Sequence, residues 1–79
     1  MSNHKKYNLS AEQYFYLFEI QKGRCAICDR EGDLVIDHSH FTGEVRKLLC
    51  RQCNLALGLF GDNPRVMRKA VHYIEDTDI

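Results

Sequence analysis

A small α+β fold, in which two helices flank a hairpin and a short helix, is predicted by three observations. Two Cys-x-x-Cys pairs, Cys25/Cys28 and Cys50/Cys53, stand twenty-one residues apart. The apolar pattern changes from helical spacing before the first pair to short strand-like runs between the pairs, and returns to helical spacing after the second. The 79 residues fall in the size range where an apolar core rarely stabilises a fold without a disulfide, a metal or a partner.

Residues 1–8 show no periodic apolar pattern and read as a lead-in, with His4 a surface residue beside Lys5 and Lys6. Ser10 followed by Gln13 is a capping box, and Leu9 against Tyr14 has the spacing of a hydrophobic staple. A first helix is therefore expected over 11–22, with Tyr14, Leu17, Phe18 and Gln21 inward and Gly23 as its left-handed stop. Aromatics at that spacing read as packing rather than as base-stacking groups, Tyr14, Phe15 and Tyr16 included. Cys25-Ala26-Ile27-Cys28 makes a tight turn that can aim two sulfurs at one point. Leu34-Val35-Ile36 then delivers Asp37 and His38 at the end of a strand, and Glu44 to Leu49 return as a second strand after a loop holding Ser39 and His40. Cys50-Arg51-Gln52-Cys53 is the second knuckle, from which Asn54 to about Gly58 continue as a short helix. Asn63 as N-cap and Pro64 at the first helical position open a last helix over 64–75. Its apolar stripe is Val66, Met67, Ala70, Val71 and Ile74; Arg65, Arg68, Lys69 and an exposed His72 take the other face.

The amino-terminal stretch is basic and polar, and no segment approaches membrane-spanning length, so a cytoplasmic protein without membrane contact is expected. Reducing conditions there disfavour disulfides, and four thiolates in two such pairs form the tetrahedral set of a structural zinc site. That set leaves no position open for water or substrate. It would tie the start of the hairpin to the start of the following helix, the long-range closure a chain this small needs.

Zinc leaves Asp37, His38, His40 and Asn54 without a task. A carboxylate with an amide oxygen is a hard oxygen pair suited to magnesium, and a histidine beside it can take a proton from water near neutral pH. In the competing reading Asp37 caps a turn, both histidines sit on a surface loop and Asn54 closes the knuckle. Eleven basic residues balance eleven acidic ones, so composition does not announce a strongly basic nucleic-acid binder. Two local clusters, Arg46/Lys47/Arg51 and Arg65/Arg68/Lys69, are either solvated faces or phosphate contacts.

With CAIC, VIDHSHFTGEVRKLLCRQCNLALG and DNPRVMRKAVHYIE in view, the chain resembles the phage recombination endonuclease VII family. That family lies within the ββα-metal, or His-Me finger, class of HNH-like nucleases. The resemblance implies a ββα-metal core over 23–60 in a single domain spanning 1–79. It further implies Asp37 and Asn54 as ligands of one Mg²⁺ or Mn²⁺, with His38 as general base. His40 would meet the phosphate, and products would carry 5′-phosphate and 3′-hydroxyl ends. Arg46, Lys47 and Arg51 would hold flanking phosphates, with structural pairing as the alternative for Arg46. DNA is the implied partner, and the host cell cytoplasm the implied location. The protein that names the family has a further carboxyl-terminal region and acts as an intertwined dimer on branched DNA. For the shorter chain a homodimer or a phage protein partner stays open, and the expectation is a nuclease core that nicks or cuts DNA. Two rival expectations are a non-catalytic zinc module that binds nucleic acid or protein, and an accessory of a phage packaging or recombination complex.

Overall fold

The computed structural model describes residues 10–76, so the lead-in, His4 and the Leu9 half of the staple lie outside the described residues. Helix α1 (Ala11–Ile20) begins where the capping box puts it. Gln13 N–H donates to Ser10 Oγ at 3.1 Å, and Ser10 N–H donates to Gln13 Oε1 at 3.0 Å. The helix stops two residues before Lys22 because Lys22 itself takes the left-handed conformation (φ 57°), followed by Gly23 (φ 68°). Lys22 N–H then bonds Glu19 O at 3.0 Å and Gly23 N–H bonds Phe18 O at 2.9 Å, the two reversed bonds of a Schellman closure.

Polar groups of α1 dock it on the hairpin. Tyr14 Oη donates to Leu34 O at 2.8 Å. The Gln21 amide pairs with Leu48 like a neighbouring strand, Nε2 donating to Leu48 O and Leu48 N–H to Oε1, both at 2.9 Å. Tyr14 and Leu17 pack on the core as expected, whereas Phe15 and Tyr16 are exposed.

Strands β1 (Leu34–His38) and β2 (Val45–Cys50) form an antiparallel pair. The register runs Leu34 to Cys50, Val35 to Leu49 and Ile36 to Leu48, then jumps to His38 opposite Val45. Asp37 thus faces two residues, Arg46 and Lys47, in a bulge on β2. Helix α2 (Arg51–Leu59) starts at the second knuckle rather than after it. Cys50 is its N-cap, the sulfur accepting from Cys53 N–H at 3.4 Å. Helix α3 (Pro64–Asp76) opens on the expected cap, Asn63 Oδ1 accepting from Arg65 and Val66 N–H at 3.0 and 3.3 Å.

The buried core is Cys25, Leu34, Leu48 and Leu49, with Ile36, Cys50, Cys53 and Leu57 half-buried around it. Two of its four members are a cysteine and the leucine that α1 clasps. The α3 stripe lies outside this core: no residue of α3 is buried, and Ile74 is 65% exposed. The strong helical periodicity read from the sequence therefore describes a face without a buried partner among the described residues.

Candidate functional site

Two polar clusters meet at the hairpin. The first consists of sulfur. Cys25, Cys28, Cys50 and Cys53 bring their Sγ atoms within 4.8 Å of one another, with Cys28 and Cys50 at 3.6 Å and no disulfide among them. A tetrahedral ion with metal–sulfur bonds of about 2.3 Å sets its sulfurs about 3.8 Å apart, so the four thiols can hold a zinc ion. Local folding builds each half. A short bridge between Arg24 and Glu31 and a left-handed Asp29 (φ 66°) close the first knuckle. Ala26 N–H, donating to Leu48 O at 3.1 Å, lays that knuckle on β2.

The surroundings of Cys25, Cys50 and Cys53 push their thiols in different directions. Burial pushes Cys25 up, but N–H groups of Cys28, Cys50 and Ile27 outweigh it and bring the thiol from 9.0 down to about 6. Cys50 is lowered chiefly by Cys53 N–H. Cys53 is pushed up to about 12, first by burial and then by the sulfurs around it. The pocket favours the thiolates of Cys25 and Cys50 and opposes that of Cys53, a conflict that a central cation would remove.

The second cluster is built around Arg46. Its Nε and Nη2 donate to Asp37 Oδ2 and Oδ1, the latter at 3.1 Å. Nη2 and Nη1 also reach Asp62 Oδ1 (2.9 Å) and Oδ2 (3.1 Å), and Nη2 reaches His38 O at 3.1 Å. Asp62 Oδ2 accepts once more, from His40 N–H at 3.1 Å. Asp37 is 5% and Asp62 7% exposed, so both carboxylates depend on this guanidinium for their charge balance. The Arg46 bonds hold Asp62 below its usual carboxylate range, with His40 N–H adding to the effect. The hydrogen bonds that Arg46 donates to Asp37 and then to Asp62 raise it further above its ordinary value. Of the two expectations for Arg46, the ion pair is what its contacts show.

His38 and His40 line one surface hollow of about 390 Å³ with Phe41 and Thr42. Its loop is tied by its own side chains, Ser39 Oγ accepting from Phe41 and Thr42 N–H at 3.2 Å each. Asp37 opens to a different hollow, about 290 Å³, shared with Ile27, Lys47, Leu49 and Leu57. The adjacent Asp37 and His38 thus face opposite sides of the strand, as period-two alternation requires. Asn54 is half-buried together with Cys53 and Leu57, on the side of α2 turned toward the hairpin. A Cβ at Gly58 would stand 3.9 Å from His40 Cε1. Asn54 precedes Gly58 by four residues, so the His40 ring lies against the helix face that carries Asn54. Arg51 is exposed, and Lys47 is exposed at the rim of the Asp37 hollow.

Asp62 is the residue that sequence reading missed, since Gly61-Asp62-Asn63 registers only as a break in the pattern. Nothing in Val45-Arg46-Lys47-Leu48-Leu49 marks the bulge that brings its partner Arg46 into place, since Leu48 and Leu49 lie in the regular part of the ladder.

No helix among the described residues is long and apolar enough to cross a membrane. The family model for recombination endonuclease VII matches residues 1–76. Among known proteins, the chain is 41% identical to the Gene 59 protein of Mycobacterium phage D29 and 38% identical to the Gene 59 protein of Mycobacterium phage L5. Each match covers 86% of this chain and 44% of the relative. The chain spans less than half the length of these relatives. Knuckles, hairpin and helices all fall inside the matched residues: the chain belongs to the recombination endonuclease VII family.

Proposed function

We propose that this chain is the nuclease core of a phage DNA-processing enzyme, one zinc-stapled ββα-metal domain that hydrolyses phosphodiester bonds in DNA. Family membership supports the nuclease class. The single observation that favours a working site is that β1 and the loop after it, which carry Asp37, His38 and His40, pack against α2, which carries Asn54 and starts in the sulfur cluster. β1 carries the acid and the first histidine, while α2, whose N-cap is the ligand Cys50, carries the asparagine on its inward side.

In this reading Cys25, Cys28, Cys50 and Cys53 hold zinc and do no chemistry. Asp37 and Asn54 offer hard oxygen donors for Mg²⁺ or Mn²⁺. A carboxylate has about four acceptor positions, and Arg46 uses two of those on Asp37, so acceptor capacity remains for a metal. An ion bound there supplies Lewis-acid stabilisation of charge on the scissile phosphate. His38 takes the proton of the attacking water, His40 donates to the phosphate, and Lys47 and Arg51, both exposed, meet flanking phosphates.

The test is cleavage of supercoiled, linear, nicked and four-way-junction DNA with Mg²⁺ or Mn²⁺ by the chain and its His38→Ala variant. Metal-dependent cleavage is expected, falling by roughly 10²–10⁴-fold when the general base is removed. Absence of cleavage from folded, zinc-loaded protein would overturn the proposal. The rival reading, a non-catalytic zinc module, draws on the Arg46 pairing, which satisfies Asp37 without any metal. It expects DNA binding untouched by His38→Ala and no cleavage.

A further inference from the structure

We propose that Asp62 is a positioning residue for the divalent-metal site, acting through Arg46 and not by touching the metal; this rests on the reading of Asp37 as a metal ligand. Arg46 pairs with two buried carboxylates, Asp37 on its Nε/Nη2 edge and Asp62 on its Nη1/Nη2 edge, with Nη2 shared between them. Were Asp37 its only partner, a full guanidinium charge would oppose any divalent cation approaching that carboxylate, and the pair would tighten against it. Asp62 accepts from Nη1 and Nη2 with both oxygens and balances that charge from the adjacent edge of the guanidinium. Asp37 is then released to share its remaining acceptor positions.

The same carboxylate has a second hold. His40 N–H bonds Asp62 Oδ2, so Asp62 also sets the turn that follows His38. It is itself firmly placed. Its backbone is left-handed (φ 56°), and its N–H closes α2 on Leu57 O at 2.8 Å. Aspartate is one of the few residues that takes this conformation readily. Asp62 therefore links the end of the helix that carries Asn54 to the end of the strand that carries Asp37 and His38.

The experiment measures Mn²⁺ dissociation constants by electron paramagnetic resonance for the purified chain. Asp37→Ala, Asp62→Asn, Asp62→Glu, Arg46→Met and the Arg46→Met/Asp62→Asn double variant are compared, each checked for zinc content and circular dichroism. Asp62→Asn is expected to weaken Mn²⁺ about tenfold, the scale on which outer partners tune a metal site. Asp62→Glu, which can still pair with Arg46, should bind like the parent. In the Arg46→Met background Asp62→Asn should have no further effect. An unchanged dissociation constant in Asp62→Asn, or the same loss with and without Arg46, would overturn the inference.

Because removing a buried partner can unfold a chain this small, a measurement on the unaltered protein stands beside the variants. On titration with Mg²⁺, the Asp62 carboxyl carbon and the Arg46 Nε–H resonances should shift with the same midpoint as the Asp37 carboxyl carbon. An Asp62 signal that stays fixed while Asp37 moves overturns the inference and leaves the metal reading standing. Equal Mn²⁺ binding by the parent and Asp37→Ala removes the metal reading, and the inference with it.

Discussion

The two polar clusters of this molecule are built on opposite plans. The sulfur cluster gathers four cysteines that could hold a cation bound from outside the chain. The carboxylate cluster carries its own cation, Arg46, paired with both Asp37 and Asp62. One is a request for an ion and the other an answer already given. The difference bears on folding: the first cluster is completed only by binding, whereas the second forms as the bulge and the α2–α3 turn come together.

The widest separation between the two should appear on breaking the first. A structural zinc site contributes about 10–16 kcal/mol in small domains, which equals or exceeds the whole stability of most domains, about 5–15 kcal/mol. Cys50→Ser should therefore abolish folding, and chelation of the parent should do the same. Metal analysis with far-UV circular dichroism checks both outcomes. A Cys50→Ser protein that keeps its structure would show that the four-residue core and the Arg46 cluster suffice, and the contrast would collapse.

Breaking the second cluster should cost less. Arg46→Ala leaves Asp37 and Asp62 buried without their cation, and loss of one partner of a buried pair typically costs about 3–5 kcal/mol. The Arg46 side chain is 38% exposed, so water reaches the gap and the loss should fall at or below the lower end, about 2–3 kcal/mol. Zinc should stay bound. Urea denaturation monitored with zinc content separates the cases, and loss of zinc from Arg46→Ala before any denaturant is added would mean that the two clusters are one cooperative unit.

How far each cluster was readable from sequence follows from how it is assembled. The cysteines stand in pairs three apart, so local backbone geometry brings each pair together and the zinc reading needs only one long-range closure. Ser10 with Gln13 and Asn63 with Pro64 are local in the same sense, and both caps appear where the side chains require them. Arg46 is nine residues from Asp37 and sixteen from Asp62. Their meeting depends on a bulge and on a left-handed aspartate, neither of which leaves a period in the sequence. The stripe of α3 shows the opposite failure. Its periodicity is clear, but a period describes a face and not what covers it. For Asp37, His38, His40 and Asn54, residue type and spacing pointed to metal and proton chemistry, while the opposed hollows and the Arg46 pairing emerged only from three-dimensional packing.

A third change tests whether the sulfur cluster tolerates strain beside it. Gly23 is buried two residues before Cys25 with φ 68°, and a Cβ there would stand 3.0 Å from Phe18 Cζ. A left-handed L-residue costs about 1–2 kcal/mol, and the Phe18 ring must also shift. Gly23→Ala should lower stability by about that amount while zinc remains stoichiometric, because metal–sulfur bonds outweigh the strain. Loss of zinc in a folded Gly23→Ala protein would place the limit of the cluster in the α1 closure and not in its ligands.

The smallest effect should appear only in acid, and its sign comes from proton binding. Arg46 holds the Asp62 carboxyl below its unfolded value, which for aspartate is about 3.9. Between the lowered folded pKa and that value the unfolded chain binds more protons, so stability rises with pH across the window. The contribution is complete above about pH 4 and is lost as pH falls through the folded pKa. Zinc release also destabilises in acid, since protons compete for the thiolates, so the parent alone cannot assign the slope. The comparison is between the parent and Asp62→Asn, each followed by urea midpoint from pH 6 downward with zinc content recorded at every point. Below pH 4 the parent should lose stability more steeply than the variant, whose amide has no proton to take up. Parallel acid limbs would mean that Asp62 is as free to titrate in the folded chain as in the unfolded one. The guanidinium clasp would then have no measurable electrostatic hold on it in solution, and the second cluster, like the first, would be waiting for its cation.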